Sequence, residues 1–289
     1  MLCTIGDLVE DVVVWLDHEP HLASDTPTRI SRTRGGSAAN VALFSAAVYG
    51  SSRFIGQVGD DRLGTQLCDI LAANGVELCV QRDGRTGSIV VLVHPDGERT
   101  MLSDRGACTQ LTSVPKNCLD GITTLHVPAY SLTVDPLAIA AIDTITEALA
   151  RGIFVSIDAS STSVLTDFGV DHFCELIAKL EPDVFMCNGD EAELLGLSPS
   201  NPIDGAGLTV IKHGAQPTVA VTRERPMTQL DVPPVQEIFD TTGAGDAFAA
   251  GFLGSFVSTG DVVSALASGH ALAGRVLRSP GATLDSATR

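Results

Sequence analysis

The sequence predicts an α/β fold in which a mostly parallel central sheet is covered by helices on both faces and carries a small β-sheet lid. From residue 124 onward, short apolar runs alternate with longer helix-like segments, as in parallel strands joined by crossover helices. Two β-rich stretches, at about 11–34 and 86–104, break this alternation and predict the separate lid. With 289 residues, 44% of them apolar, we expect a single domain over 1–289 that includes the lid.

The first half of the chain is mainly β-rich, with two helices. The pair Gly35 and Gly36 precedes an Ala-rich helix, and residues 59–64 begin a second helix. Pro95, Asp96 and Gly97 separate two β-rich segments and predict a hairpin turn. The expected elements are strands at 2–5, 12–16, 28–33, 53–58, 88–94 and 99–102, and helices at 41–49 and about 60–74.

The second half alternates strands with helices. Strands are expected at 124–127, 154–158 and 184–186, and helices at 136–151, 173–180 and 190–197. Parallel sheets of this type bind ligands at the carboxyl ends of their strands. Asp7, Asp158 and Asn188 each lie at or just after a predicted strand end, so they are expected on that rim.

Composition limits the classes of partner and compartment. The formal net charge of -17 argues against nucleic acid or an anionic membrane as a partner, because both attract basic surfaces. No apolar run reaches the roughly 18 residues of a membrane span, and no basic segment precedes the first strand, so we expect a cytoplasmic protein. The seven scattered cysteines lack a CxxC pair and predict reduced thiols rather than disulfides or a metal site.

Residues 240–252 (DTTGAGDAFAAGF) place glycines where a loop becomes the first turn of a buried helix. The unpaired N–H groups of such a turn bind anions, and Gly243 and Gly245 let an anion approach the backbone. Asp246 lies in the same turn, where a negative charge is unfavourable beside a phosphate unless it has a role. It can act as a general base in phosphoryl transfer, or it can simply cap the helix.

Three motifs carry a family resemblance that spans essentially the whole chain. DTTGAGD at 240–246 resembles the C-terminal signature of the ribokinase-like (PfkB) carbohydrate kinases. GGSAANVA at 35–42 and GQVGDDRLG at 56–64 are similar to the N-terminal signature of that family. The resemblance implies a ribokinase-like three-layer α/β/α fold and an ATP-dependent kinase. Asp246 would be the base, and the backbone of Gly243, Ala244 and Gly245 would stabilise the transferring phosphoryl group.

The same resemblance implies a substrate site near the N terminus. Asp11 matches an aspartate that holds sugar hydroxyls, as a carboxylate accepting two hydrogen bonds can do. The substrate would also contact Gly35, Gly36, Ser37 and Asn40, whose amide supplies both donor and acceptor. Without the resemblance, Asp11 could be an exposed loop residue and the glycine pair a simple tight turn.

NGDE at 188–191 matches the NxxE motif of the family. It implies that Asn188 lies near the nucleotide and that Glu191 organises Mg²⁺ through water. The same residues also fit a helix N-cap with an acidic first turn.

VIKHG at 210–214 resembles the strand and turn that contact ATP in the family. Lys212 would meet phosphate or remain a solvated edge charge, and Gly214 would approach the nucleotide, as would Thr242, Gly243 and Gly245. Pro217 stands where relatives often have a second glycine, so the sequence departs from the family pattern beyond Gly214.

Asp240 and Thr242 match a K⁺ loop found in part of the family. The resemblance implies that carbonyl groups near residues 276, 279 and 281 complete this loop.

Arg105 lies where the lid returns to the main domain and would suit an acidic or phosphorylated sugar, although it could also pair with an acid of the protein. The function expected is transfer of the γ-phosphoryl group of ATP to a primary hydroxyl of a small sugar or sugar acid, as in ribokinase, fructokinase or 2-keto-3-deoxygluconate kinase. The alternatives are a nucleoside kinase and a non-catalytic sugar-binding regulator. A homodimer through the exposed edge of the lid is also expected.

Overall fold

The computed structural model describes residues 1–96, 98–222 and 227–284. The strands are β1 (Leu2–Ile5), β2 (Val9–Trp15), β3 (Arg29–Gly35), β4 (Ser52–Val58), β5 (Val76–Arg82), β6 (Thr86–Val93), β7 (Arg99–Gly106), β8 (Thr124–Pro128), β9 (Phe154–Asp158), β10 (Val184–Asn188), β11 (Leu208–His213), β12 (Gln216–Val221) and β13 (Thr228–Leu230). The helices are α1 (Ser37–Tyr49), α2 (Arg62–Ala73), α3 (Leu137–Ala150), α4 (Thr162–Phe168), α5 (Val170–Leu180), α6 (Gly189–Leu194), α7 (Ala244–Thr259) and α8 (Val262–Val276).

A nine-stranded sheet forms the centre of the fold, in the order β13-β12-β11-β10-β9-β8-β1-β4-β5. Its strands run parallel except at the β11–β12 and β12–β13 pairs, which are antiparallel. The prediction of a mostly parallel sheet is confirmed. Strands β5, β12 and β13 and helices α4 and α8 were not predicted. No described helix combines the length and apolarity needed to cross a membrane.

Helices cover both faces of this sheet because successive strand side chains point to opposite sides. In β10, Phe185 and Cys187 belong to the core shared with α3, α5 and α6. Val184 and Met186 face the opposite way, into the core shared with α1, α7 and α8. Near-continuous apolar strands of this kind are expected for a sheet buried on both faces.

A separate four-stranded sheet has the order β3-β2-β6-β7, and β2 runs parallel to β6. Its strands begin or end a few residues from the predicted lid boundaries, with β2 starting at Val9 and β7 ending at Gly106. Pro95 and Asp96 connect β6 to β7, while Gly97 of the predicted turn lies outside the described residues.

The prediction that all cysteines are reduced is wrong for Cys79 and Cys118. These two residues form a disulfide, with their Cα atoms 6.0 Å apart. Strand β5 carries Cys79, and a short 3₁₀ turn at Lys116–Leu119 carries Cys118 beside it. Sequence spacing could not indicate this pair, because the two elements meet only in the folded chain.

Candidate active site

A cavity of about 1690 Å³ lies between the small sheet and the carboxyl ends of the central strands. Asp7, Asp158 and Asn188, expected on this rim, all line it. Gly35 packs against the Asp11 carboxylate, where a Cβ atom would collide with it. The predicted site residues that line the cavity are Asp11, Gly36, Ser37, Asn40, Arg105, Asn188, Glu191, Lys212, Gly214, Asp240, Thr242, Gly243, Ala244, Gly245 and Asp246.

The first turn of α7 is open to the cavity. Gly243 precedes the helix with a φ of 78°, a left-handed conformation that glycine adopts readily, and no side chain caps the helix. Within the described residues, the N–H groups of Gly245 and Asp246 have no protein acceptor. The alternative that Asp246 caps this helix is therefore wrong, and the turn retains free donors for an anion.

The Asp246 carboxylate is held by the first turn of α1. Ser37 Oγ donates to Oδ1 at 2.6 Å, and Asn40 Nδ2 donates to Oδ2 at 2.7 Å. Burial raises the pKa of Asp246 to about 6, while the hydrogen bonds from Ser37 and Asn40 act in the opposite direction. The two sequence signatures thus meet at one carboxylate, which is ionised at neutral pH and held in a fixed orientation.

Arg34 is a site residue that the sequence analysis missed. Its side chain is 8% exposed, and its guanidinium donates to Asn40 Oδ1 and to the carbonyl of Ala282. Because Asn40 accepts from Arg34 through its oxygen, its nitrogen is directed at Asp246. In the sequence, Arg34 could have been identified as a site residue because it directly precedes Gly35 and Gly36.

Asp11 lies near this group in the cavity wall. Burial raises its pKa to about 6; Arg34 acts against this rise and Asp246 adds to it. The substrate end of the cavity therefore presents two carboxylates and one buried guanidinium that is already hydrogen-bonded.

Lys212 lies beside the open turn of α7 and is not the solvated edge charge that was considered from sequence. Its side chain is 14% exposed, and Nζ donates to Asp158 Oδ2 at 2.6 Å. A Cβ built on Gly245 would lie 3.7 Å from this ammonium. Burial acts to lower the pKa of Lys212, but the ion pair with Asp158 and the charge of Glu191 raise it. The lysine thus supplies a permanent positive charge beside the anion turn.

Asn188 and Glu191 form a capping box at the start of α6. Asn188 Oδ1 accepts from the Glu191 N–H at 2.8 Å, and Glu191 Oε2 accepts from the Asn188 N–H at 2.7 Å. Burial and the nearby Asp158 raise the pKa of Glu191. The capping interpretation is therefore correct, and the same carboxylate also lines the cavity.

Arg105 also lines the cavity, but its guanidinium is paired with the protein. Nε and Nη2 donate to the two Asp7 oxygens at 2.6 and 2.8 Å, and Nη2 also donates to the Tyr130 carbonyl at 2.9 Å. A bidentate pair of this kind leaves little unbalanced positive charge for a substrate.

The opposite end of the cavity, near Gly214, is lined by residues that the sequence analysis did not single out. His270 Nε2 lies 2.9 Å from Thr218 Oγ1, and its ring lies against Phe248. Its Nδ1 has no hydrogen-bond partner among the described residues, and burial lowers the pKa of the imidazole. Residues 232–239 also line the cavity.

The matching family model, the related sequences and the related structure agree with one another. The pfkB family carbohydrate kinase model matches residues 1–289. A fructokinase from Vibrio alginolyticus is 31% identical over 260 residues, covering 83% of this chain and 82% of that protein. An aminoimidazole riboside kinase from Salmonella typhimurium is 29% identical over 257 residues, covering 83% and 79%. The structure of a probable sugar kinase protein from Rhizobium etli has a TM-score of 0.86 at 21% identity, covering 99% and 95%, and so confirms the predicted fold.

Proposed function

This chain belongs to the pfkB family of carbohydrate kinases, and we propose that it phosphorylates a primary hydroxyl of a small neutral sugar. It is an ATP-dependent sugar kinase. The observation that supports a neutral acceptor is the pairing of Arg105 with Asp7, together with the carboxylates of Asp11 and Asp246 in the same end of the cavity. A sugar acid would place another negative charge among them without a free cation to balance it.

In the proposed mechanism, Asp246 accepts the proton of the attacking hydroxyl. The hydrogen bonds from Ser37 and Asn40 hold its carboxylate toward the cavity, and Arg34 orients Asn40. Asp11 accepts hydrogen bonds from other sugar hydroxyls. The hydroxyl oxygen then attacks the γ-phosphorus of ATP, the bond to the β-phosphate oxygen breaks, and ADP leaves.

The free N–H groups of Gly245 and Asp246 and the ammonium of Lys212 are suited to the phosphate groups. Fixed dipoles and a buried cation stabilise charge on the transferring group without reorganisation. The small sheet would exclude water that could otherwise hydrolyse ATP, acting as the predicted lid.

The residues present also fit a hydrated Mg²⁺ bound to the ATP phosphates. Glu191 and Asp158 are neighbouring carboxylates in the cavity wall. Burial and the charge of Asp158 raise the pKa of Glu191. Mg²⁺ usually keeps several waters and needs one or two carboxylates beside phosphate. Glu191 and Asp158 would hold it through water, and it would supply charge neutralisation at the phosphates.

A comparison of acceptors tests the proposed substrate class. We expect kcat/KM for the best neutral sugar to exceed that for 2-keto-3-deoxy sugar acids by at least about tenfold, measured by ADP release, because of uncompensated charge repulsion. The variant Asp7→Asn releases Arg105 from its partner, so the preference should shift toward sugar acids. A wild-type enzyme that prefers sugar acids would refute the neutral-sugar proposal.

A riboside is the second candidate acceptor, and a specific feature supports it. The face of the small sheet that lines the cavity carries the aliphatic side chains of Val13, Ile89 and Val91. Such a surface suits the flat, weakly polar base of a riboside. Ribosides are therefore the third class of acceptor in this comparison. If kcat/KM is highest for a riboside, the acceptor is a nucleoside-like compound.

The other face of the small sheet suits a second copy of the chain. Ile30 and Leu102 are 57% and 55% exposed. Val14, which pairs with Ile30, and Val90, which pairs with Leu102, lie between them on the same face. The pair Arg32–Glu10 lies on this sheet and the pair Arg85–Asp104 lies at its edge, so two-fold related copies could match apolar surface and opposite charges.

We expect Leu102→Asp to dissociate this dimer, because each copy would bury an uncompensated carboxylate. Sedimentation velocity should give a dimer for wild type and a monomer for the variant, with Val263→Asp on exposed α8 surface as the control. Wild type that sediments as a monomer at tens of micromolar would contradict the dimer.

A further inference from the structure

The small sheet contributes a cation to the loop that precedes α7. Arg99 is the first residue of β7. Its Nη2 donates to Asp240 Oδ1 at 2.6 Å, and its Nη1 donates to Thr242 Oγ1 at 2.6 Å. These two acceptors are the residues that the family resemblance assigned to a K⁺ loop. Arg99 was not singled out from the sequence.

Several other oxygen atoms assigned to this loop also accept hydrogen bonds. Asp240 Oδ1 accepts from the Thr242 N–H at 2.8 Å, and Oδ2 accepts from the Gly281 N–H at 2.9 Å. The Val276 carbonyl accepts from the Ser279 N–H at 2.9 Å. A potassium ion bound to Asp240 and Thr242 would have to displace the Arg99 guanidinium or lie beside this group of the same charge. These oxygen atoms, which are already hydrogen-bonded to Arg99 and to backbone N–H groups, therefore do not form a suitable K⁺ site.

The protonation of Asp240 agrees with this arrangement. Burial acts to raise its pKa, but the backbone donors of Thr242 and Gly281, the Thr242 side chain and the charge of Arg99 lower it overall. Asp240 is therefore an ionised carboxylate whose charge is balanced by Arg99. The side chains of both residues are largely buried, so solvent screens the pair weakly.

We propose that Arg99 is the resident cation of the loop before α7, and that this kinase therefore works without a monovalent metal ion. The proposal rests on the proposed function for its kinetic consequence, but its structural part concerns only Arg99, Asp240 and Thr242. Arg99 is a positioning residue. It fixes Thr242, which leads directly into the turn that presents the N–H groups of Gly245 and Asp246.

The position of Arg99 also couples the small sheet to the phosphate end of the cavity. Arg99 lies on the sheet that covers the substrate, whereas Asp240 lies on the loop that begins the anion turn. Sugar bound under the sheet would therefore be linked through Arg99 to the loop that begins the turn. A free metal ion could not provide this link, because it has no covalent connection to the sheet.

The test compares salts of different cations at constant ionic strength. Wild type and Arg99→Met are assayed in potassium chloride, sodium chloride and tetramethylammonium chloride, whose cation is too large for the loop. We expect equal wild-type kcat/KM in all three salts. Arg99→Met should lose about tenfold in tetramethylammonium, because a charge-assisted hydrogen-bond pair is removed, and should regain most of the loss in K⁺. Arg99→Lys keeps a charge and should remain independent of the salt.

A thermal unfolding titration with K⁺ tests the structural part without any assay of activity. Wild type should show no saturable rise in Tm specific to K⁺, whereas Arg99→Met should show one, since K⁺ can enter the vacated site. Lys179→Met, which removes an exposed pair with Glu175 on α5, is the control and should behave as wild type.

Wild type that is activated severalfold by K⁺, or whose Tm rises saturably with K⁺, would overturn the proposal. So would an Arg99→Met variant that matches wild type in every salt. If Arg99→Met does not fold, the salt response of wild type and Arg99→Lys still decides. A protein without kinase activity that shows the expected Tm pattern would refute the proposed function and leave the assignment of Arg99 intact.

Discussion

Replacing Asp246 with asparagine is expected to lower kcat by at least about 10²-fold while KM for ATP and for sugar changes only a few-fold. Asparagine keeps the shape of the side chain and can retain hydrogen bonds to Ser37 and Asn40, but it cannot accept a proton from the attacking hydroxyl. Steady-state kinetics at saturating concentrations of both substrates measure the effect. Asp261→Asn, which alters the N-cap of α8 away from the cavity, is the matched control and should leave kcat unchanged.

Protonation of the Asp246 carboxylate is expected to determine how kcat responds to low pH. A general base works when deprotonated, so its contribution is complete above its pKa and is lost as the pH falls through that value. Burial raises the pKa of Asp246 to about 6. We therefore expect wild-type kcat to fall below about pH 6. Asp246→Asn should lack this decrease, and a variant that kept it unchanged would assign the titration to another group.

Replacing Lys212 with methionine should lower kcat/KM for ATP by about 10²-fold, because it removes a buried charge beside the N–H groups that face the phosphates. It should also reduce the free energy of unfolding by about 3 kcal/mol, because Asp158 would remain buried without its partner. Kinetics and denaturant unfolding measure the two effects.

Two further variants separate the catalytic effect of Lys212 from its effect on stability. Lys212→Met combined with Asp158→Asn removes both charges of the pair and should recover much of the stability, but its activity should stay well below that of Asp158→Asn alone. Lys179→Met, at an exposed pair with Glu175, should change neither quantity. Recovery of activity in the double variant would show that Lys212 only balances Asp158.

Local patterns predicted many of the strands and helices of this fold, although helix α8 was missed. The strand at 154–158 was predicted with the bounds found for β9, and the glycine-rich turn before α7 was located from its composition. The position of Asp246 beside the anion-binding turn was predicted because residues 243–246 form the start of a helix. These features depend on neighbours in the chain, so a single sequence contains them.

Features that depend on distant parts of the chain could not be predicted in this way. Arg34 and Arg99 resemble ordinary charges of an exposed β-rich segment, yet in the folded protein Arg34 also donates to the Ala282 carbonyl and Arg99 donates to Asp240. Burial of Lys212 and the disulfide between Cys79 and Cys118 depend equally on how the elements meet. The periodicity of one strand does not show which residue from another element will approach it.

The rate of a single turnover tests the role of Asp246 most directly, because it separates phosphoryl transfer from product release. Enzyme in excess over labelled ATP, with saturating sugar, should transfer the label at least about 10² times more slowly in Asp246→Asn than in wild type, while sugar and ATP still bind within a few-fold of their wild-type Kd. A transfer rate in the variant within a few-fold of wild type would contradict the assignment of Asp246 as the base.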